Sequence, residues 1–145
     1  MKPCSQILLI LFCIFIFSGC ESEPSSYPFP NRSVSIEKVE LIQNHNEFGE
    51  GTDESNMHLI KTLDDSEALS FMEEIYNLPT KRAGTPPPWG YGVYIAKVIY
   101  SNGDIEMLGS LNIEFIENGN AATGIGSYYF PDDSFIPVFE KYSNP

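Results

Sequence analysis

The sequence predicts an α+β fold in which an antiparallel sheet, in the order β-β-α-β-β-β-β-α, carries one or two helices packed on one face. Three observations predict it. Residues 34–43 alternate apolar and polar side chains, as half-buried strands do, and residues 57–63 are interpreted as a second short strand. A capped helical pattern follows at 64–76. Beyond it, four strand-like stretches are separated by two Asn-Gly turns and a Gly-Ser step.

The first predicted strand, residues 34–43, contains an irregularity. Its alternation slips by one position at Glu37-Lys38, which indicates a β-bulge. Residues 44–56 are polar, acidic and glycine-bearing, a composition typical of a loop. The second strand, at 57–63, is therefore expected to follow a solvated hairpin loop.

A helix is predicted directly after the second strand. Asp64 has the side chain of an N-cap, and Glu67 three residues later completes a capping box. The apolar side chains recur at the 3.6-residue period and predict one buried stripe: Ala68, Leu69, Phe71, Met72, Ile75 and Tyr76. Pro79 bounds the end of the helix. We expect this stripe to form part of the core.

A hairpin is predicted between residues 93–100 and 105–108. The connecting Asn102-Gly103 pair favours a type I′ turn, because both central residues of that turn need positive φ. A second Asn-Gly turn separates strands predicted at 111–116 and 121–130. Together these strands are expected to form a four-stranded meander.

The C-terminal residues predict a second helix. Four apolar side chains fall at i, i+1, i+4 and i+7: Phe135, Ile136, Phe139 and Tyr142. Asp132, Asp133 and Ser134 precede them and are candidate caps. Pro137 is compatible with a helix here because it falls in the first turn.

Residues 80–92 combine features that are rare elsewhere in the chain. Lys81 and Arg82 are the only adjacent basic pair, three consecutive prolines favour polyproline II, and the sole tryptophan, Trp89, is near Tyr91. Aromatic side chains beside basic ones have the composition of binding hot spots. We interpret Lys81, Arg82, Trp89 and Tyr91 as candidate partner-binding residues. The alternative is that Trp89 folds back over the sheet edge or the end of the helix.

Residues that commonly carry catalysis or bind metals are sparse. The sequence has two histidines, His45 and His58, which lie outside any HExxH pattern. No Gly-x-Ser-x-Gly elbow occurs, and the glycine pairs lack the lysine of phosphate loops. Because the two histidines are separated in sequence, a metal site built from them is not expected. The sequence therefore predicts no enzyme, no metal site and no cofactor.

The first 19 residues have the pattern of a secretory leader. Lys2 supplies a positive start, residues 7–17 are uniformly apolar, and residues 17–20 read Phe-Ser-Gly-Cys. The apolar run is too short to cross a hydrocarbon layer of roughly 30 Å as a helix, which needs about 20 residues. Residues 1–19 are therefore predicted to be a signal peptide.

The Phe-Ser-Gly-Cys tail resembles the lipobox of bacterial lipoproteins, although Phe17 stands where that family usually has leucine. The resemblance implies that Cys20 becomes the N-terminus and receives a diacylglyceryl lipid. It also implies an extracytoplasmic location on the bacterial cell membrane or outer membrane. Residues 20–33, rich in proline and serine, are then expected to be a flexible stalk. Residues 34–145 are expected to form a single domain.

The formal net charge of −12 at pH 7 limits the classes of partner that the protein can bind. Such a surface repels nucleic acid and anionic headgroups, so membrane attachment would depend on the lipid. The leading hypothesis is a non-catalytic envelope module that binds a protein, a peptide or a wall polymer. The alternatives are an acidic inhibitor or immunity-type protein against a basic envelope enzyme, and an enzyme with an unrecognised carboxylate site.

Overall fold

The computed structural model describes residues 26–46, 53–84, 90–122 and 126–144. Its central element is an antiparallel sheet of eight strands. The strands are β1 (Ile36–Asn44), β2 (Met57–Thr62), β3 (Lys81–Arg82), β4 (Tyr94–Tyr100), β5 (Ile105–Gly109), β6 (Ile113–Glu117), β7 (Asn120–Ala121) and β8 (Tyr128–Tyr129). The helices are α1 (Asp65–Tyr76) and α2 (Phe135–Ser143), with short 3-10 helices at Glu54–Asn56 and Pro131–Asp133. The predicted α+β class with an antiparallel sheet is confirmed.

The strands lie in the order β2-β1-β4-β5-β6-β8-β3, and β7 pairs with β6. Strands β4, β5 and β6 form a meander, and β1 joins it by pairing with β4. Two departures from the predicted order concern short strands. β3 is additional, because two residues are too few to show an alternating pattern. The strand predicted at 121–130 is represented by β7 and β8, and residues 123–125 lie outside the described part.

The pairing of strand β1 is irregular at two points. Its register with β4 shifts between Ile36 and Lys38, where β1 has the extra residue, which confirms the predicted bulge. A second shift, in the pairing with β2, falls between Leu41 and Ile42, and here the extra residue is Ile60 of β2. Because bulges increase the local twist, β1 is expected to twist more strongly at the first point and β2 at the second.

The two Asn-Gly turns have different geometries. In the β4–β5 turn only the glycine, Gly103, has positive φ (87°). Its N–H donates to the Tyr100 carbonyl (2.9 Å), and the Tyr100 N–H donates to the Asp104 carbonyl (3.0 Å). The type I′ turn predicted here is therefore wrong, because that turn needs two positive φ values. The β6–β7 turn does have them, at Asn118 (51°) and Gly119 (81°).

Helix α1 begins as predicted. The Asp64 carboxylate accepts from the N–H groups of Ser66 and Glu67 (both 2.9 Å), and the Glu67 carboxylate accepts from the Asp64 N–H (3.2 Å). The buried side chains are Ala68, Phe71, Met72 and Ile75. Leu69 was expected in this stripe but is 64% exposed. It lies about 100° around the helix from Ala68, which takes it beyond the arc that contacts the sheet.

Helix α2 packs as predicted but begins differently. Its buried side chains are Phe135 and Phe139. Asp132 and Asp133 have positive φ (55° and 52°), and Ser134 has helical dihedrals with no side-chain capping bond. An N-cap needs an extended backbone to aim its side chain at the first free N–H groups. The capping predicted at residues 132–134 is therefore wrong.

Both helices pack on one side of the sheet, which we call the first face, in agreement with the predicted arrangement. The sheet contributes Val39, Leu41, Ala96, Val98, Tyr100, Leu108, Ile113 and Tyr128 to this core. Aromatic rings join it to α2, with Tyr94 stacked on Phe139 (centroids 4.8 Å apart) and Phe130 stacked on Phe135 (5.2 Å). Such ring pairs add to the stability that their buried area provides.

Residues 26–33 do not behave as the flexible stalk that their composition predicts. Tyr27 and Phe29 are 4% and 7% exposed and belong to the first-face core. The Tyr27 ring meets Phe29 and Tyr128 edge to face, with centroids 4.7 and 5.5 Å apart. The Tyr27 N–H donates to the Thr80 hydroxyl (2.8 Å). Proline and serine indicated flexibility, but two large aromatic rings bury enough apolar surface to order this segment.

Gly109 is expected not to tolerate a side chain, because a β-carbon there would overlap the backbone carbonyl of Tyr91. Gly109→Ala should lower the free energy of unfolding by about 1–3 kcal/mol, the usual cost of overpacking. Gly84→Ala is the matched control, since nothing lies within 4 Å of a β-carbon at that position. Urea unfolding measures both variants. Equal stability of the two would contradict the close approach at Gly109.

Candidate functional site

The opposite side of the sheet, which we call the second face, carries a separate apolar cluster. Its buried members are Ile42, Tyr91, Ile95 and Met107, with Met57, Ile105 and Ile116 packed against them. Among the described residues, none from α1 or α2 belongs to this cluster. In the described part of the chain, the helices therefore do not cover the apolar side chains of the second face.

Two adjoining clefts open on the second face. The first, of about 220 Å³, is lined by Glu40, Ile42, Glu54, Met57, Leu59, Lys97 and Met107. The second, of about 280 Å³, shares Glu54, Met57, Lys97 and Met107 and adds Tyr91, Ile105, Ile116 and Gly119. Apolar walls with a few charged groups are typical of ligand sites. Each cleft can hold an apolar side chain of a ligand, and a charged group next to that side chain in the ligand would lie beside a glutamate or Lys97.

Strand β2 forms one edge of the sheet beside the first cleft. Within the described part of the chain, β2 pairs with β1 on one side and with no strand on the other. Its side chains Leu59 and Ile60 are 57% and 42% exposed. An edge strand with free peptide groups can receive an added strand from another chain. Because Leu59 also lines the cleft, one extended segment can contact both the edge and the cleft.

Tyr91 lies against the second face. Its hydroxyl donates to the Glu114 carboxylate, and its carbonyl accepts from the Leu111 N–H (3.2 Å). Burial, together with the bond to Glu114, raises the pKa of Tyr91. Only 7% of the residue is exposed. Tyr91 is therefore a largely buried residue that lines the second cleft, and its role in contacting a partner stays a prediction.

The other predicted contact residues are placed differently. Lys81 and Arg82 form β3 and are exposed. They pair with β8 at the far end of the strand order from β2. The residues predicted as one site therefore divide, with Tyr91 on the second face and the basic pair on an outer strand. Trp89 and the predicted lipid site Cys20 lie outside the described residues.

A buried carboxylate lies on the first face and lines neither cleft. Glu106 is 0% exposed and accepts from the hydroxyls of Tyr27 (3.0 Å) and Tyr100 (2.6 Å). Removal from water raises the pKa of Glu106, and the two hydroxyl donors offset part of that rise. Nothing in the sequence distinguishes Glu106, because it is a single acid within the otherwise apolar strand β5.

Asp104 makes a second polar contact with the same N-terminal segment. Its Oδ2 accepts from the side-chain amides of Asn31 (3.0 Å) and Asn102 (2.7 Å). Its Oδ1 accepts from the Asn118 N–H (3.4 Å). Asp104 and Glu106 are two residues apart, so their side chains leave the chain on the same side. Together they hold residues 27–31 against the sheet, which is a structural role.

One residue in the sequence indicated that the second face reaches solvent. Lys97 interrupts the apolar stretch at 93–100, and in the structure it lines both clefts. A lysine within a central strand indicates that one side of that strand reaches water. Which side chains would meet Lys97 depends on the pairing of β4 with β1 and β5, which alternation alone does not determine.

Two further observations concern the described residues. No group of three or more His, Cys, Asp or Glu side chains among them is arranged to hold a metal ion. No helix in the described ranges is long and apolar enough to cross a membrane. The clefts of the second face and the β2 edge thus form the candidate site, a surface suited to binding an apolar or extended ligand.

Comparison with known proteins gave no match to a family model, to a curated protein or to a solved structure. The function is therefore inferred from the chain's own residues and geometry.

Glu106→Gln is expected to raise the Tm by an amount that grows with pH. The folded-state pKa of Glu106 lies above the ordinary value of 4.5. The stability contributed by the neutral carboxyl is therefore complete below that ordinary value and is lost as pH rises through the folded-state pKa. Glutamine stays neutral and can still bond to Tyr27 and Tyr100. Calorimetry between about pH 4.5 and 8 measures the difference from the parent protein.

Two further variants control this experiment. Glu73→Gln removes one negative charge at an exposed position of α1 and should give no comparable rise. Glu106→Ala leaves two buried hydroxyls without their acceptor and should lower the Tm. If the advantage of Glu106→Gln shrinks as pH rises, the assigned direction of the pKa change is incorrect.

Proposed function

We propose that this chain is a lipoprotein of the bacterial cell envelope whose single domain binds a partner and performs no catalysis. The observation that carries the proposal is the position of the exposed β2 edge beside a cleft of the second face. The apolar leader and the Phe-Ser-Gly-Cys tail support export and lipid attachment at Cys20. The proposed role is to hold a partner at the membrane surface.

The ordered N-terminal segment supports close attachment to the membrane. Tyr27 is part of the core, so seven residue steps separate it from Cys20 (27 − 20 = 7). At roughly 3.3–3.6 Å per residue, such a connection reaches at most about 25 Å. A lipid on Cys20 would therefore keep the point where the chain enters the core within that distance of the bilayer.

The proposed partner is an extended segment of a basic protein. Strand addition would supply main-chain hydrogen bonds along β2, while Ile42, Met57 and Leu59 would contact an apolar side chain of the partner. Glu40 and Glu54 line the same cleft and favour a neighbouring lysine or arginine. The net charge of −12 would draw such a partner from a longer distance.

A second candidate is an acidic inhibitor or immunity-type protein against a basic envelope enzyme, which the same negative charge favours. Charge-steered binding of that kind should weaken sharply at high ionic strength. Strand addition at β2 would also be assisted by charge, but its affinity should fall less at high salt, because main-chain hydrogen bonds and apolar contacts are not screened. The exposed pair Lys81 and Arg82, together with Trp89, remains a proposed contact for a peptide or a wall polymer.

Cys20→Ala is expected to abolish lipid labelling. Metabolic labelling with a fatty-acid analogue should mark the parent protein, because the Cys20 sulfur is the proposed attachment point. Two or more acyl chains, each contributing about 0.8 kcal/mol per buried CH₂, should keep the parent in the membrane fraction. Cys13→Ala changes a leader cysteine and is the matched control. Equal labelling of the parent and Cys20→Ala would rule out lipidation at this residue.

Leu59→Asp is expected to reduce partner capture by at least about tenfold, because it places a charge in the apolar contact. Leu69→Asp is the matched control, since Leu69 is comparably exposed on α1 (64% against 57%). Each full-length variant is crosslinked in native envelopes, and the species captured by the parent is quantified. Capture that survives Leu59→Asp as well as it survives Leu69→Asp would exclude the β2 edge as the contact.

A further inference from the structure

The two histidines of the sequence meet at the end of the β1–β2 hairpin. The ring centroids of His45 and His58 are 4.9 Å apart, and the ring planes are inclined by 80°. Both residues are exposed. Because they are separated in the sequence, no metal site was expected from them, but the pairing of β1 with β2 brings the two rings into contact.

The strand ladder determines which way the two side chains leave the backbone. Gln43 pairs with His58, and the His45 N–H donates to the Asn56 carbonyl (2.8 Å). His45 is two residues beyond Gln43, so it lies diagonally across from His58. Both imidazoles therefore lie on the same side of the hairpin.

Three asparagine side chains restrain this end of the hairpin. Asn44 is 2% exposed, and its Oδ1 accepts from the backbone N–H (3.0 Å) and the side-chain amide (2.7 Å) of Asn46. The Asn46 Oδ1 accepts from the Asn56 amide (2.9 Å), and the Asn44 amide donates to the Gly92 carbonyl (3.1 Å). The backbone beside the histidines is thus held in place, which lowers the entropy cost when both rings bind one ligand.

Neighbouring imidazoles are suitable ligands for divalent transition-metal ions. Zinc, copper and nickel accept imidazole nitrogen, whereas magnesium and calcium prefer oxygen. The described residues offer no set of three candidate ligands, so water would complete the coordination. Asp53 adds a negative charge nearby: its carbonyl accepts from the Asn46 amide (3.3 Å), and bonds from Ser55 lower its pKa.

We propose that His45 and His58 form a two-histidine binding site for a divalent transition-metal ion. Copper(II) should bind more tightly than nickel(II) or zinc(II), following the general order of affinities for such ligands. Metal ions bind the neutral form of imidazole, so protons compete with the ion for both side chains. The negative charge of the chain raises the local concentration of cations around the site. The proposal is independent of the partner proposed for the β2 edge.

The test uses the full-length protein in detergent, produced without a polyhistidine tag. Nickel(II) is titrated at about pH 7.5, and the ring proton resonances of both histidines are followed by NMR. Both sets of resonances should change together. His45→Gln and His58→Gln should each raise the Kd at least about tenfold, since even changes outside the coordination sphere cost that much.

The double variant His45→Gln/His58→Gln is the matched control, because it retains every cysteine and carboxylate. Parent-like nickel(II) affinity in the double variant would overturn the proposal, as would a parent protein whose histidine resonances do not respond. Either result would leave the two rings as a packing contact only. Tighter binding of copper(II) than of nickel(II), and no response to magnesium(II), would support the site.

Discussion

The need for hydrogen bonds to one buried acid joins the N-terminal segment to the sheet. Glu106 occupies a core position on β5, where an ionisable group without hydrogen bonds would be very costly. Tyr100, from the adjacent strand β4, meets part of this requirement, and Tyr27 meets the rest from the N-terminal segment. The ring of Tyr27 packs among the core aromatics at the same time. The segment that precedes β1 therefore belongs to the domain, and the connection to the proposed lipid is short.

The two faces of the sheet have different roles. The first face is covered by both helices and by Tyr27 and Phe29, so its side chains mainly stabilise the fold. The second face has its own small apolar cluster and two clefts, and β2 borders the first of them. A surface that mixes apolar walls with glutamates and Lys97 suits recognition better than core packing. The proposed binding role follows from this division.

Clusters of hydrogen-bonded polar side chains lie at the two ends of the sheet. At one end, Asp104 gathers the amides of Asn31 and Asn102 and thereby fastens the N-terminal segment to the β4–β5 turn. At the other, Asn44 and Asn46 restrain the end of the β1–β2 hairpin beside the histidine pair. Asn31, Asn44 and Asp104 are buried, so losing one of their partners would leave a desolvated polar group. Both clusters should therefore be rigid.

The sequence by itself determined the features that depend on residues a few positions apart. These are the capping box of α1, the bulge in β1, the positions of both helices and the antiparallel hairpins. The tertiary structure decided the burial of Tyr27, the exposure of Leu69, the second-face clefts and the contact between His45 and His58. Tyr27 and Glu106, for example, are 79 residues apart. Local periodicity shows only that one side of a helix or strand is apolar. Which side chains it contacts depends on the strand pairing and helix packing of the folded chain.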